Sequence, residues 1–532
     1  MPEPTAAQLK DEGNELFKKQ DYIGAIIKYT EAIALDDKNA VLYANRAACN
    51  HALNKYLDAV DDAHMATEID PGYAKAWSRL AASRDALADW RESARAWQKA
   101  LDALPKTNLS PVERQQKNQY SANLKAANAR LNGPPIVPLS MNEKLGKFPW
   151  QIATDMLPEL RRAGPAKVSS SAWVIALAYE EFSKGVEVMK GMKIIPQSEK
   201  PGTFVHRGNL EGLTDLSNGF MRDDRVFHIN QPNWIEMYNQ QIYFEVTARK
   251  AWDSEGLETV KELAQKRLKE NGWDDVRPAL AVTVRAWIMR AAFGLRDEPQ
   301  AGVQYYRRAL DLVEWGRTIW KDVPKSSRGA IFEHSFLIGI RSMYLKMFMN
   351  AYTDDPGLDS KFPLEQLKEE AEDLLKETEI AVQTRSDEPV DPGFISSFIV
   401  YPTGLAHAML GFYHVQMARY ATNLVEKMFS YVKGAGEYTH ASSKYPEDDE
   451  LRAWYLNCTM DCMRNAGVPI ENFLMVATGL RDTVPKMKKI WGVSELAMGG
   501  RDQKIQANLD RADELMRRVA DKTLTLEDPV PL

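Results

Sequence analysis

Residues 40–73 read AVLYANRAACNHALNKYLDAVDDAHMATEIDPGY, and this stretch decides the fold because the chain on either side of it repeats the same pattern. Small residues recur every 34 residues, in three sets: Gly13, Ala47 and Ala81; Ala25, Ala59 and Ser93; and Ala32, Ala66 and Ala100. Such a period indicates two helices per repeat, because helices whose backbones approach closely exclude large side chains. We therefore predict three stacked helical hairpins.

The ends of the hairpins carry residues that stop a helix, at Asp37, Pro71 and Pro105. Beyond them, Ser110, Pro111 and Glu113 have the spacing of a capping box and predict a further helix that ends near Leu131. This polar helix is expected to cap the stack, since a terminal repeat needs a covered face. We predict a domain at 5–131, a linker at 132–149 and a second domain at 150–532.

Polar side chains fall at fixed places on the first helix of each repeat. Lys10 and Asn14 are four residues apart, Asn45 lies on the next first helix, and Lys75 and Arg79 are again four apart. Residues four apart share a helical face, so stacking should bring these five side chains around one hollow. Ammonium, guanidinium and amide donors suit a carboxylate ligand. A solvated concave wall is the alternative interpretation of the same residues.

The stretches LKDEGN (9–14), LYANR (42–46) and YAKAWSR (73–79) resemble the carboxylate-clamp tetratricopeptide (TPR) family of co-chaperones. The resemblance covers about the first 130 residues. It implies that Lys10, Asn14, Asn45, Lys75 and Arg79 grip the terminal carboxylate and last aspartate of a Glu-Glu-Val-Asp tail. The implied partners are heat-shock chaperones of the seventy or ninety kilodalton class.

Composition limits the other classes of function. The formal net charge of the 532 residues is −6, with both signs mixed along the chain, so we expect no nucleic-acid partner. The three cysteines are too few for a disulfide framework, and the sequence has neither an apolar leader nor a long apolar run. We expect a cytoplasmic protein without membrane contact, cofactor or metal.

Beyond residue 150 the apolar spacing is mostly helical, and we predict a larger all-helical domain of unknown partner, for which a degenerate TPR-like array and an unrelated helical domain are the two interpretations. Aromatic and small residues with the spacing of the repeat recur, as a weak match, at Phe293, Gly302, Tyr306 and Ala309. The predicted helices include 173–192, 277–295, 299–321, 328–352, 363–384, 404–433, 450–466 and 501–520. The fold class is therefore all-α.

Some features of this region could carry chemistry, but the sequence favours structural roles for them. Glycines and prolines predict an irregular insertion near 194–232, where His206, Asp223, Asp224 and His228 lack the spacing of a metal site. His407 and His414, and likewise Cys458 and Cys462, are best interpreted as core residues. The acidic run 447–450 is expected to be a solvated helix face or end.

We thus expect a non-enzymatic co-chaperone or adaptor. Two alternatives remain at this point: a scaffold that reads a different acidic C-terminus, and an enzyme whose catalytic domain lies beyond residue 150. A polar pocket near 200–230 would favour the enzyme.

Overall fold

The computed structural model describes residues 4–131, 146–164, 169–196, 204–252, 255–293, 299–384 and 389–531. Most of the predicted linker, residues 132–145, lies outside these ranges. The described residues are overwhelmingly helical, which confirms the all-α fold class.

The N-terminal helices are α1 (Ala6–Lys18), α2 (Tyr22–Leu35), α3 (Ala40–Ala52), α4 (Tyr56–Ile69), α5 (Ala74–Ala86), α6 (Trp90–Asp102) and α7 (Pro111–Leu131). Next come α8 (Pro149–Ala163), α9 (Ala172–Lys190), the strands β1 (Lys193–Pro196) and β2 (Phe204–Arg207), α10 (Gly212–Arg222), α11 (Trp234–Arg249), α12 (Leu257–Asn271), α13 (Trp273–Phe293) and α14 (Pro299–Ile319). The remaining helices are α15 (Lys325–Arg328), α16 (His334–Asp354), α17 (Leu364–Gln383), α18 (Tyr401–Tyr420), α19 (Leu424–Lys444), α20 (Glu450–Ala466), α21 (Ile470–Trp491), α22 (Glu495–Met498) and α23 (Arg501–Ala520).

The three predicted hairpins are α1/α2, α3/α4 and α5/α6, and all nine small residues of the 34-residue pattern are buried in them. The turn inside each hairpin places one residue in the left-handed region, at Gln20, Asn54 and Ala88. These three turn residues are themselves 34 apart. The period seen in the sequence is therefore a period of the backbone.

Helix α7 caps the third repeat as predicted. The Glu113 backbone N–H donates to Ser110 Oγ at 3.3 Å, and the Ser110 N–H donates to Glu113 Oε2 at 2.8 Å, which completes the capping box. Tyr120 of this helix lies against Trp97 of α6, with ring centroids 5.5 Å apart. Helix α7 therefore buries an aromatic side chain against the third repeat.

The chain divides into two compact units, Met1–Val137 with Arg249–Leu312, and Pro138–Ala248 with Val313–Leu532. The predicted domains follow the order of the chain, whereas these units do not, because residues 249–312 lie with the TPR helices. Tyr306 and Ala309, which echo the repeat, are buried in the first unit.

The contact between repeat 2 and α14 replaces a missing helix cap. Lys55 precedes α4 and makes no side-chain cap bond. Instead, the Leu57 N–H donates to Gln304 Oε1 at 3.1 Å, and Gln304 Nε2 donates to the Asn54 carbonyl at 2.8 Å. One turn further along α14, Arg308 pairs with Asp61 at 2.6 Å. A side chain from α14 therefore satisfies backbone groups at the start of α4.

In the second unit, successive helices from α17 to α21 pack against one another. The expected helix 404–433 is interrupted, because Ala421 is extended and the Asn423 side chain accepts from the Glu426 N–H as a new N-cap. Asn423 and Glu426 have the spacing of an N-cap and its third helical residue, so the sequence carried a signal for the interruption that the predicted helix did not use.

The segment 194–232 differs from the expected irregular insertion. Strands β1 and β2 pair in antiparallel fashion, and α10 follows them as a regular helix. Gly219 and Gly185 sit where α9 and α10 touch, since a Cβ added at either would lie 2.7 Å from an atom of the other helix. A glycine taken for a helix breaker can instead be a packing residue.

The acidic run 447–450 is not solvated throughout, contrary to expectation. Asp449 and Glu450 are buried, and Arg225 lies between them with its guanidinium 3.9 Å from the ring centroid of Trp491. Glu450 also pairs with the buried Arg501 at 2.7 Å. Each buried charge has an opposite charge beside it, which offsets the cost of desolvation.

None of the described helices combines the length and apolarity that crossing a membrane requires.

We predict that Gln304→Ala lowers the free energy of unfolding of the first unit by about 1–2 kcal/mol, because it leaves a helix N-terminal N–H without its acceptor. Denaturant unfolding measures the change. Gln98→Ala is the matched control, since the exposed Gln98 bonds only within its own helix. Equal losses in the two variants would contradict the role of Gln304.

Candidate peptide-binding groove

The five predicted binding residues lie on the first helices of the three repeats. Lys10 and Asn14 are on α1, Asn45 is on α3, and Lys75 and Arg79 are on α5. Lys75 and Arg79 are exposed, and the other three are partly buried.

Asn14 and Asn45 are in direct contact across α1 and α3. Asn14 Oδ1 accepts from Asn45 Nδ2 at 3.1 Å and from the Tyr29 hydroxyl at 2.8 Å. With two donors at its oxygen, the Asn14 amide is fixed in one orientation, and its Nδ2 remains a donor for a ligand. Burial raises the pKa of Tyr29 to about 12, so its hydroxyl keeps the proton that it donates.

Tyr29 is the member of the site that the candidate residues omitted. It lies on α2, the second helix of repeat 1, and is buried. Its ring lies against Gly13, where an added Cβ would be only 2.7 Å from Cε1. The hydroxyl can reach Asn14 because the ring approaches the α1 backbone so closely.

Arg79 acts electrostatically on the neighbouring helix α3. Burial is the main cause that lowers the pKa of His51, and the Arg79 charge lowers it further. The same charge opposes the rise in the pKa of Cys49, which burial brings to about 12. Helices α3 and α5 are in contact, which brings the Arg79 charge near enough to act on both groups.

The cations of this unit fall into two groups. Arg46 pairs with Asp62 at 2.7 Å and Arg84 pairs with Asp89 at 2.8 Å. Within the described ranges, Lys10, Lys75 and Arg79 have no carboxylate within 4 Å, and no hydrogen bond joins Lys10 or Lys75 to the other candidates. The three candidate cations thus keep their charge for an external anion, whereas their neighbours are neutralised.

The other polar candidates take structural roles. Asp223 pairs with Arg225, Asp224 pairs with Lys346, and His228 Nδ1 lies 2.8 Å from the Val226 carbonyl. His407 Nδ1 lies 2.8 Å from Glu437 Oε2. Nowhere in the part of the chain that the structure describes do three His, Cys, Asp or Glu residues group as metal ligands would.

Comparisons with known proteins match the TPR region. No protein-family model matches the chain. The chain is 38% identical over 102 residues to the heat-shock protein cognate co-chaperone sgt12 of Aspergillus fumigatus, covering 19% of this chain and 30% of that protein. It is 43% identical over 96 residues to the heat shock protein sti1 homolog of Schizosaccharomyces pombe, covering 18% and 16%. The chain thus spans less than a third of the length of these relatives.

Solved structures match the same region. The Sgt2 TPR domain from Aspergillus fumigatus is 31% identical, with 27% of this chain and 96% of that chain covered and a TM-score of 0.22. The first TPR of Spaghetti (RPAP3), bound to the HSP90 peptide SRMEEVD, is 31% identical, with 23% and 94% covered and a TM-score of 0.20.

The 34-residue period, the capped three-hairpin stack and the identity to these relatives lead to one conclusion: the N-terminal region of this chain is a TPR module similar to the TPR domains of co-chaperones.

Proposed function

We propose that residues 5–131 bind the free, acidic C-terminal tail of a heat-shock chaperone of the seventy or ninety kilodalton class, and that the protein is a co-chaperone or adaptor. The names of its relatives support the chaperone partner, since sgt12 is named as a co-chaperone and sti1 as a heat shock protein. A tail that ends in Asp has two carboxylates side by side. Five convergent donors on α1, α3 and α5 would match them.

One observation carries the proposal. Asn14 and Asn45 are locked together by the hydrogen bonds at Asn14 Oδ1, while Lys10, Lys75 and Arg79 have no carboxylate within 4 Å among the residues that the structure describes. A groove wall that serves only for solubility needs neither a fixed amide nor unpaired cations. A preorganised anion site benefits from both, because binding then costs little ordering entropy.

The rest of the chain is proposed to contact a client or another partner and to have no catalytic activity. A cytoplasmic location is part of the same proposal, since co-chaperones of this type would meet their partners there. The alternative function is that of a scaffold that binds a different acidic C-terminus. A panel of free-acid peptides separates the two, because only the chaperone adaptor prefers Glu-Glu-Val-Asp over other acidic endings.

We predict that Lys75→Ala and Arg79→Ala each weaken binding of a Glu-Glu-Val-Asp peptide about ten- to a hundredfold, because each removes a charge-assisted bond of about 1.5–3 kcal/mol. Isothermal titration calorimetry measures the change, and the thermal unfolding of both variants should match wild type because the two side chains are exposed.

Lys99→Ala is the control for lost charge, since Lys99 is exposed on α6, the second helix of its repeat. A peptide with an amidated C-terminus is the control for the ligand, and its affinity should drop to a similar extent. If Lys75→Ala and Arg79→Ala bind the peptide as tightly as the control Lys99→Ala, the proposed carboxylate clamp is wrong.

We predict that Tyr29→Phe weakens tail binding severalfold although Tyr29 is not among the proposed ligand contacts. Losing the hydroxyl frees the Asn14 amide to rotate, so part of the preorganisation is lost. Fluorescence anisotropy of a labelled tail peptide gives the affinity. Tyr22→Phe is the matched control, since Tyr22 packs on Phe17 by its ring. Unchanged affinity in Tyr29→Phe would show that the amide needs no second donor.

We predict that tail binding weakens as ionic strength rises from about 0.1 M to about 1 M, because the Debye length falls from about 10 to about 3 Å. Arg79→Ala should show a smaller salt dependence than wild type, having one accessible charge fewer. Titrations in sodium chloride test both statements. A salt-independent affinity would point to an apolar contact.

A further inference from the structure

The start of α19 carries the largest run of exposed apolar side chains on a described helix. Val425 is 78% exposed, Leu424 69% and Phe429 58%, and Met428 and Val432 are exposed as well. A contiguous apolar stripe of this kind on one helix marks an interaction surface. The helix itself is held firmly, because Tyr431, Ala435 and Tyr438 on its neighbouring face are buried.

The stripe has the spacing of a helix-pairing seam. Val425, Phe429, Val432 and Gly436 follow one another at intervals of four, three and four residues, which are the a and d positions of a heptad. A Cβ added at Gly436 would meet no heavy atom within 4 Å, so the last position of the seam is open. The seam spans about 16 Å of helix.

Charge pattern and shape identify the occupant. We propose that a second copy of this chain docks on this seam, with the two α19 helices antiparallel about a two-fold axis. In that arrangement Phe429 faces Val432 of the second copy, and Val425 enters the space left by Gly436. Large and small residues are thus complementary within one and the same surface, as a two-fold interface requires.

The flank of the seam is self-complementary as well. Glu426 and Lys433 are seven residues apart, so they lie on the same edge of the seam, and antiparallel pairing brings Glu426 of each copy to Lys433 of the other. Within the described residues neither side chain has an oppositely charged partner; Lys433 Nζ lies over the Phe429 ring, 4.6 Å from its centroid. A parallel pair would set each of these positions opposite the other edge of the second helix, so Glu426 and Lys433 would not meet.

The small size of the contact indicates how stable the dimer is. A seam of four layers, two of which include Gly436, and two symmetric ion pairs falls at the small end of specific interfaces. The dimer is therefore reversible and depends on protein concentration. Sedimentation velocity of the full chain over a wide dilution series should show a monomer–dimer equilibrium that Phe429→Asp abolishes.

Met475→Asp is the matched control, since Met475 is 68% exposed on α21 and lies outside the seam. It should dimerise as wild type does. Circular dichroism checks that both variants keep their helices. A monomeric wild type at all concentrations, or a Phe429→Asp variant that dimerises as well as wild type, overturns the proposal.

A charge exchange tests the antiparallel pairing itself. Glu426→Lys alone and Lys433→Glu alone should each raise the dimer dissociation constant about tenfold, because symmetry repeats every repulsive pair twice. When the two variants are mixed, each Lys of one chain meets a Glu of the other, and dimerisation should return. Two variants that stay monomeric in the mixture would rule out this geometry.

Discussion

The ring of Tyr29 lies against the backbone of Gly13, and this contact connects the packing of the repeats with the chemistry of the groove. Any side chain at position 13 would collide with the ring. Because the ring is so close, its hydroxyl reaches Asn14 and, with Asn45, fixes the orientation of the Asn14 amide. The close approach that defines the repeat is thus also what orders a donor for a ligand.

Contacts from outside the repeats also hold the edge of the TPR stack, at helix α4. Helix α4 begins without a capping side chain of its own, and Gln304 from α14 satisfies its first backbone groups. Asp61 and Asp62, which are adjacent on α4, divide their bonds between Arg308 of α14 and Arg46 of α3. The helix behind the groove is therefore held from both sides. A TPR module in this chain is part of a larger compact unit.

The stability of the second unit depends on a cluster of buried, paired charges that its amino-acid composition does not indicate. Arg225 lies between Asp449 and Glu450 and over Trp491, and Arg501 completes the cluster. Removing one partner would leave another charge buried without compensation, which is far more costly than losing an exposed ion pair. The cluster includes the N-cap and the first residue of α20, the helix that packs against α19.

The repeat, its helices and turns, the capping helix and the all-α class could all be predicted from the sequence. The 34-residue period and the capping box are local patterns, and local patterns specify where helices begin, end and touch. It also singled out five polar positions on the first helices of the repeats as candidates, since helical spacing fixes which residues share a face. Whether those residues hold a tail remains a proposal.

Only the tertiary structure decided the role of Tyr29, the placement of 249–312 beside the repeats and the burial of Asp449 and Glu450. These depend on which distant segments meet, and an acidic run or a glycine looks the same in sequence whether it is solvated or packed. Gly219 shows the reason most clearly: it permits two helices to touch, and the partner helix lies some forty residues away in the chain.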